Sequence, residues 1–247
     1  MVAAVKQALT ELAVIIPVGP GDQAWRVLLP QLSFLPADAE ICVVFCQQSA
    51  LPLLTELPAL VDVKRAAKAA LAAKTIFIAA PIGRARQLNA GVAATQNTQL
   101  WFVHADSVLH ANTAAALMRA LSAKSHTNAL HYFDLRFAAG SSRKMRINEF
   151  GVWLRTRLFR LPFGDQGFLL SRANFIRLGG YDETLASAED HGLIWQARRA
   201  GLVIRAIGST LSTSARRYAQ YGWGKTTFTH LRLTWQQMRF FAKQRNT

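Results

Sequence analysis

The sequence predicts an α/β fold in which a predominantly parallel, doubly wound sheet is flanked by helices. Two observations lead to this prediction. Short apolar segments alternate with stretches of helical periodicity along the chain, and an acidic residue, Asp106, closely follows one of the apolar segments. Ligands of open α/β sheets collect at the carboxyl ends of strands, so Asp106 is also the first candidate site residue. The 247 residues suffice for one large domain with a buried core, and no Pro/Gly/Ser-rich linker divides them.

The elements follow one another in a strand and helix order. The predicted strands are 14–18, 41–45, 61–64, 75–79, 100–103, 129–138 and 168–170. Helical spacing of apolar residues over 25–32 predicts the first helix, after a Gly-Pro-Gly-Asp turn. Further helices are predicted between 64 and 75, over 86–95, 111–123 and 141–160, before the glycine pair 179–180, and from Glu189 onward. Tandem repeats are absent from the sequence.

Composition restricts the protein class. Hydrophobic residues make up 51% and mean hydropathy is +0.13, but the longest uncharged run, 87–105, is too rich in Asn, Gln and His to span a membrane. The N-terminus does not resemble a signal peptide, so we expect a cytoplasmic protein. Cys42 and Cys46 lie on one predicted strand, too far apart for a disulfide in regular extended chain, which fits a reducing compartment.

Positive charge is concentrated in the last quarter of the chain. The net charge is +15, and Asp190 is the last acidic residue. The basic residues beyond it are Arg198, Arg199, Arg205, Arg216, Arg217, Lys225, Arg232, Arg239, Lys243 and Arg245. Such a segment suits an anionic partner, namely nucleotide phosphates, nucleic acid or anionic lipid, and the alternative is a solvated surface.

Three acids stand out by position. Asp106 follows a predicted strand, where it is either a metal ligand or the cap of the next helix. Glu189 and Asp190 begin a predicted helix, where the helix dipole favours carboxylates. Capping and chemistry are compatible for Glu189 and Asp190.

Five short motifs occur in a fixed order. They are Gly83-Arg-Ala-Arg-Gln-Leu-Asn-Ala-Gly91, His104-Ala-Asp106, Gly164-Asp-Gln-Gly167, Gly179-Gly-Tyr-Asp182 and Glu189-Asp190. In this order they resemble a bacterial family 2 glycosyltransferase of the GT-A fold, in a subgroup that carries His-Ala-Asp in place of Asp-x-Asp. The resemblance covers about residues 12–217 and implies one GT-A domain there, followed by a C-terminal arm over 218–247.

The resemblance implies an inverting transfer of a sugar from a nucleotide diphosphate to an acceptor hydroxyl. Asp106 would hold a divalent metal, Mg²⁺ or Mn²⁺, at the donor diphosphate. Asp190 would be the catalytic base, with Glu189 orienting it or binding the acceptor. The donor-binding residues implied are Pro17, Asp22, Arg84, Arg86, Gln87, Asn89, His104, Ala105 and Asp106.

Some of these residues have a second interpretation. Arg84 and Arg86 suit phosphate contact but are also ordinary surface arginines. Gln87 and Asn89 either organise their turn or touch the nucleotide, and His104 is either a ribose or phosphate contact or a structural histidine. Asp165 and Gln166 either bind sugar hydroxyls or form a turn.

The chain departs from the family pattern in two loops. Cys46 to Ser49 replaces the acidic turn that usually reads the base, and Val18 to Asp22 lacks the usual Asn-Glu, although Asp22 stands there. The alternative is therefore a degenerate, non-catalytic scaffold that binds a nucleotide or a membrane. A nucleotidyltransferase would need a Gly-rich loop after the first strand, which is missing. A nucleic-acid partner does not explain the ordered acids.

The C-terminal arm has the spacing of an amphipathic helix. Phe228, Leu231, Trp235, Met238 and Ala242 recur at helical intervals, and we place Lys225, Arg232, Arg239 and Lys243 on the opposite face. Such a helix either lies on an anionic membrane surface or packs onto the domain. Membrane binding would favour a lipid or lipid-linked glycan as acceptor and a peripheral position on the inner face of the cytoplasmic membrane.

Overall fold

The computed structural model describes residues 8–47, 72–123, 127–138, 141–185 and 188–243. Eight strands form one sheet in the order β3-β2-β1-β4-β7-β6-β8-β5. They are β1 Leu12–Val18, β2 Glu40–Cys46, β3 Lys74–Ala80, β4 Gln99–Phe102, β5 Val108–Leu109, β6 Ala129–Phe137, β7 Phe168–Ser171 and β8 Val203–Thr213. The strand predicted at 61–64 and the helix predicted after it lie outside the described residues, except for 72–74.

Besides a helical turn at residues 8–10, eight α-helices accompany the sheet in the described residues. They are α1 Trp25–Gln31, α2 Arg84–Ala93, α3 Thr113–Ser122, α4 Met145–Phe159, α5 Arg172–Arg177, α6 Glu189–Arg199, α7 Arg216–Tyr221 and α8 Trp223–Lys243. A 3₁₀ turn, Gly164–Gln166, precedes β7. The predicted boundary between residues 217 and 218 falls inside α7.

The sheet is mixed but mostly parallel, so the predicted α/β class is confirmed. Strands β3, β2, β1 and β4 run parallel to one another, as do β6 and β8. Strand β7 runs antiparallel to both of its neighbours, β4 and β6, and β5 runs antiparallel to β8. The reversal of β7 has a direct consequence for the site, because it turns the start of β7 towards the end of β4.

Sequence patterning missed two strands for identifiable reasons. Strand β5 has only two residues, which is too short for any periodicity. Strand β8 contains Gly208 at φ 75°, and its pairing with β6 shifts register between Tyr132 and Asp134. A bulge of this kind interrupts the alternation by which a strand is recognised in sequence.

Alternate residues of β1 point into two separate apolar layers. Leu12, Val14 and Ile16 pack in the layer that contains residues of α1 and α3. Ala13 and Ile15 pack in the opposite layer, which contains residues of α2, α5 and α6. All seven residues of β1 are buried, as expected for a strand covered by helices on both faces.

Helix α8 adjoins α7 and α6 at the end of the chain. Thr226 near its start is buried, and the His230 ring lies 5.8 Å from the Tyr218 ring of α7. The guanidinium of Arg239 lies over the Trp235 ring at 4.5 Å. Arg239 therefore flanks the apolar side of α8, and our placement of this residue on the opposite face was wrong. Within the residues described, no helix combines the length and the apolar character needed to cross a membrane.

Candidate active site

The topology brings the acid-bearing loops to one edge of the sheet. Strands β1 and β4 are parallel neighbours, so both of their carboxyl ends open onto the same edge. The chain reaches β4 from edge strand β3, which makes this edge between β1 and β4 the switch point where open α/β sheets bind ligands. Phe102 at the end of β4 pairs with Phe168 at the start of antiparallel β7. The loop 164–166 therefore meets the loop 104–106.

Arg84 joins three parts of this edge. It is the first residue of α2, and Gly83 before it has φ 132°, a backbone conformation that glycine adopts without strain. The Arg84 Nε atom lies 3.2 Å from Glu189 Oε1, and its Nη2 atom contacts His104 Nε2. A guanidinium placed between these groups is well suited to binding a phosphate.

Asp190 lies against Gly164 at the start of the 3₁₀ turn. The backbone N–H of Gly164 donates to Asp190 Oδ2 at 3.0 Å. A Cβ atom at Gly164 would overlap the Asp190 carboxylate, so only glycine permits this approach. Gly164 thus leaves room for the Asp190 carboxylate and holds it by a hydrogen bond. The sequence does not indicate this role of the glycine.

Asp165 lies at the electrostatic centre of the site. The pKa of Asp165 is raised to about 6, chiefly by burial. Asp190 and Asp106 also act to raise this pKa, while Arg155 and Arg84 act to lower it. Its Oδ1 atom is shielded from solvent and accepts no hydrogen bond from the described residues. Asp106 and Asp190, from two other loops, therefore lie close enough to influence the ionisation of Asp165.

Gln166 supports the turn from inside. It is fully buried, its Oε1 accepts from Phe163 N at 3.1 Å, and its Nε2 donates to Phe133 O at 2.9 Å. Arg155 also donates to Gln166 Oε1, at 3.3 Å. Both amide atoms of Gln166 bond within the protein, which agrees with its interpretation as a turn residue, and a sugar contact at Gln166 stays a prediction.

Glu189 and Asp190 both hold protons more tightly than ordinary carboxyl groups. Burial raises the pKa of Asp190, while Arg84 and the Gly164 N–H lower it. Burial and the neighbouring Asp190 raise the pKa of Glu189, which Arg84 lowers. A carboxylate with a raised pKa accepts a proton more readily, which is the property that a general base needs.

Asp106 is accessible at the end of the β4 loop. The Thr213 hydroxyl, from the end of β8, donates to Asp106 Oδ2 at 3.3 Å. The described residues contain no group of three or more His, Cys, Asp or Glu placed to hold a metal ion. Mg²⁺ and similar ions are commonly held by one or two carboxylates together with substrate phosphates. The single carboxylate of Asp106 fits a metal that is shared with a donor diphosphate.

The other predicted donor residues occupy the rim and base of the same edge. Gln87 Nε2 donates to the carbonyls of Val18 and Val44, both at 2.8 Å, and so ties the ends of β1 and β2 together. Pro17 and Ala105 are buried, and Asp22 Oδ1 accepts from Ala24 N at 2.9 Å within its own turn.

Two further residues of the Gly83–Gly91 motif face the loop after α5. Asn89 exchanges hydrogen bonds with the backbone of Tyr181, as donor at 2.9 Å and as acceptor at 3.0 Å. Arg86 is exposed, and its Nε lies 3.9 Å from Glu183 Oε2. Gln87 and Asn89 therefore organise the turns, as one of our two interpretations had it.

Sequence reasoning missed Arg155 and His191. The Arg155 guanidinium lies 3.3 Å above the Phe163 ring, and burial lowers its pKa to about 10. His191 follows Asp190 in the sequence. The centroid of the His191 ring lies 4.2 Å from the centroid of the Phe163 ring, and the two rings are tilted relative to each other. Burial lowers the pKa of His191 to about 3, so it is neutral at physiological pH. No sequence signal separates Arg155 from the other basic residues of its segment.

Known structures with this fold include a mannosyltransferase and a protein that was solved with a nucleotide sugar. A mannosyltransferase from Pyrobaculum calidifontis, solved with GDP-Man and Mn²⁺, has a TM-score of 0.58 at 15% identity, over 82% of this chain and 56% of that chain. TarS from S. aureus has a TM-score of 0.59 at 14% identity, over 82% of this chain and 60% of that chain. A TarS complex with UDP-GlcNAc gives a TM-score of 0.58.

The chain thus spans less than two thirds of the length of these structures. No protein-family model matches it, and no curated protein matches it in sequence. At identities of 14–15% the likeness concerns the fold. This chain has the predicted GT-A fold, which it shares with those structures.

Proposed function

We propose that this protein is a glycosyltransferase that moves a sugar, of hexose type, from a nucleotide diphosphate to an acceptor hydroxyl with inversion. The observation that carries the proposal is the meeting of Arg84, Asp106, Asp165 and the pair Glu189 and Asp190 at the switch point of the sheet. These residues come from four segments that are far apart in the sequence and that meet at this edge of the sheet. The shared fold with nucleotide-sugar-bound transferases supports the same function.

In this proposal the donor lies across the carboxyl ends of β1 and β4. Arg84 faces the donor phosphates, and its contacts with Glu189 and His104 fix the plane of the guanidinium. Asp106 would hold Mg²⁺ or Mn²⁺, which when bound supplies a Lewis acid that neutralises charge on the departing diphosphate. The acidic turn that usually follows β2 in the family is replaced by Cys46 to Ser49. In this proposal other contacts therefore recognise the nucleobase of the donor.

Asp190 is the proposed base for the acceptor hydroxyl. Inversion requires the hydroxyl to attack from the face opposite the diphosphate while losing its proton to a positioned group. The Gly164 N–H fixes one oxygen of Asp190, and the raised pKa favours proton uptake. Glu189 holds Arg84 and so links the base to the donor side.

The substitution Asp190→Asn tests this assignment. A nucleotide-sugar panel first identifies a donor by its binding and by the release of nucleoside diphosphate. We then expect the variant to lose about 10²- to 10⁴-fold in turnover, as is typical for loss of a general base, while donor affinity changes little.

The matched control is Asp38→Asn, since Asp38 is exposed in the turn before β2, at the other end of that strand. Wild-type turnover in Asp190→Asn would remove Asp190 as the base. Donor binding without turnover in the wild-type protein, with every acceptor class tested, would favour the non-catalytic scaffold instead.

A further inference from the structure

Helix α4 turns apolar residues towards solvent. Ile147, Phe150, Leu154 and Leu158 are spaced three or four residues apart and share one side of the helix, with exposed fractions of 61, 61, 39 and 64%. The buried residues Met145 and Thr156 lie on the opposite side of the helix. Surface helices ordinarily place polar residues outward, so this arrangement indicates a surface that contacts an apolar partner.

Helix α8 also carries apolar residues that are exposed to solvent. Phe228, Leu231 and Trp235 have exposed fractions of 71, 64 and 59% and also lie on one side of their helix. Asn148 of α4 donates to Thr227 Oγ1 of α8 at 3.1 Å, which joins the two helices. We call the seven residues Ile147, Phe150, Leu154, Leu158, Phe228, Leu231 and Trp235 the α4–α8 face.

Positive charge surrounds the α4–α8 face. Exposed basic residues on or beside the two helices are Arg143, Lys144, Arg146, Arg160, Lys225, Arg232 and Arg239. The only acidic residue in the sequences of α4 and α8 is Glu149. Its carboxylate is turned inward, where it accepts from Arg136 Nη1 at 2.9 Å and from Phe137 N at 2.8 Å. The outward side thus combines apolar groups with cations that form no ion pair with a carboxylate of the described residues.

We propose that the α4–α8 face binds the surface of an anionic lipid bilayer. Phe, Leu and Trp side chains enter the boundary between headgroups and acyl chains, while Lys and Arg beside them contact anionic headgroups. Arg239 over the Trp235 ring has the amphipathic arrangement that suits headgroup depth. A second copy of the chain is the less suitable occupant, because joining two such faces would bring like charges together.

The position of this face also concerns the acceptor. Arg155 lies between Leu154 and Thr156 in α4, and it reaches inward to Phe163 and Gln166 beside Asp165. One helix therefore carries the bilayer contact on its outer side and a residue of the candidate active site on its inner side. Together with the proposed function, on which this step rests, the arrangement makes the acceptor a hydroxyl compound anchored in the bilayer.

Vesicle flotation tests the contact without donor or acceptor. The probes are vesicles of phosphatidylcholine alone and of phosphatidylcholine mixed with phosphatidylglycerol. The wild-type chain should bind the mixed vesicles more tightly, and high salt should weaken that binding. The triple variant Phe150→Ser, Leu154→Ser, Leu158→Ser should bind about tenfold more weakly or worse, because each buried apolar side chain contributes to the affinity.

The matched control is Val27→Ser with Ile176→Ser, two apolar residues that are 66 and 65% exposed on other helices, and it should bind as the wild type does. Absence of wild-type binding, or equal binding by the triple variant, would overturn the proposal. A dimer in sedimentation velocity that the triple variant abolishes, without vesicle binding, would identify a second copy as the occupant instead. Asp190→Asn should bind vesicles normally, so failure of the sugar-transfer proposal would leave this result intact.

Discussion

Arg84 shows how one side chain can define a site that spans distant parts of a sequence. It contacts His104, twenty residues away along the chain, and Glu189, more than one hundred residues away. Burial alone would make Glu189 and Asp190 costly to ionise, and the Arg84 charge offsets part of that cost. The sequence could nominate each of these residues from its motif, but the contacts between them depend on the fold.

Replacing Gly164 by Ala should displace Asp190. The added Cβ would overlap the Asp190 carboxylate. Once displaced, this carboxylate would also lose its hydrogen bond from the backbone N–H of residue 164. We expect turnover to fall by about 10²-fold, since a small misplacement of a reacting group has effects of this order. Gly19→Ala is the matched control, because a Cβ there meets no atom within 4 Å. Equal turnover in the two variants would show that the position of the Asp190 carboxylate beside residue 164 is unimportant for turnover.

Replacing Asp165 by Asn should stabilise the metal-free protein at neutral pH. The pKa of Asp165 rises from 3.8 to about 6 on folding, so between these pH values the unfolded chain loses its proton first. Unfolding is therefore favoured as pH rises through this window, and the full cost is present at pH 7 and absent below about pH 4. Asn removes that cost, which the shift in pKa places at about 3 kcal/mol.

Urea unfolding in the presence of a chelator measures this effect. The free energy of unfolding of Asp165→Asn should exceed that of the wild type at about pH 7.5 and match it near pH 4. Asp38→Asn, at an exposed position, should leave the free energy of unfolding little changed at both pH values. A gain that is equal at the two pH values would contradict the ionisation argument.

At the scale of elements, α2 is held close to the sheet by Gly91. A Cβ at Gly91 would lie 2.5 Å from Ile15 Cγ2 and 3.0 Å from Val44 Cγ2, on β1 and β2. This close packing sets the height of α2 above the strands and therefore the position of Arg84 at its start. The last glycine of the Gly83–Gly91 motif is thus a packing residue that serves the site indirectly.

Gly91→Ala should destabilise the protein by roughly 1 to 3 kcal/mol, as overpacking of a core generally does. Gly151→Ala in α4 is the matched control, since it is also inside a helix but its Cβ would meet no atom within 4 Å. There the higher helix propensity of Ala should stabilise the protein by about 0.5 to 1 kcal/mol. Denaturant unfolding of both variants would settle the point, and a stabilising Gly91→Ala would refute the packing role.

At the scale of the whole molecule, the positively charged side chains lie in two kinds of place, the candidate active site and the protein surface. Arg84 and Arg155 are directed into the candidate active site, where carboxylates balance them. The exposed cations of α4 and α8 have no acid on their own helices except the inward-facing Glu149. The excess positive charge, +15 in total, is therefore better placed to attract an external anionic surface than to act within the candidate active site.

Nucleoside diphosphates should stabilise the whole domain in a metal-dependent way. At about 100 times the dissociation constant, ligand linkage predicts a gain near 2.7 kcal/mol, or a rise in Tm of roughly 5 °C or more. With one nucleotide of a panel, Mn²⁺ should increase this rise in the wild type but not in Asp106→Ala. Asp38→Ala should behave as the wild type. A Mn²⁺ effect that survives in Asp106→Ala would place the metal elsewhere.

The sequence alone determined the α/β class and most elements, because period-two and helical patterns of apolar residues reflect burial that is local to each strand or helix. It also nominated Asp106, Glu189 and Asp190, because ordered motifs mark the loops that follow or precede those elements. The tertiary structure decided the reversed direction of β7, the bulged strand β8, and the inward placement of Arg155 and Gln166. Strand direction and side-chain partners depend on contacts between residues far apart in the chain, and no local pattern encodes them.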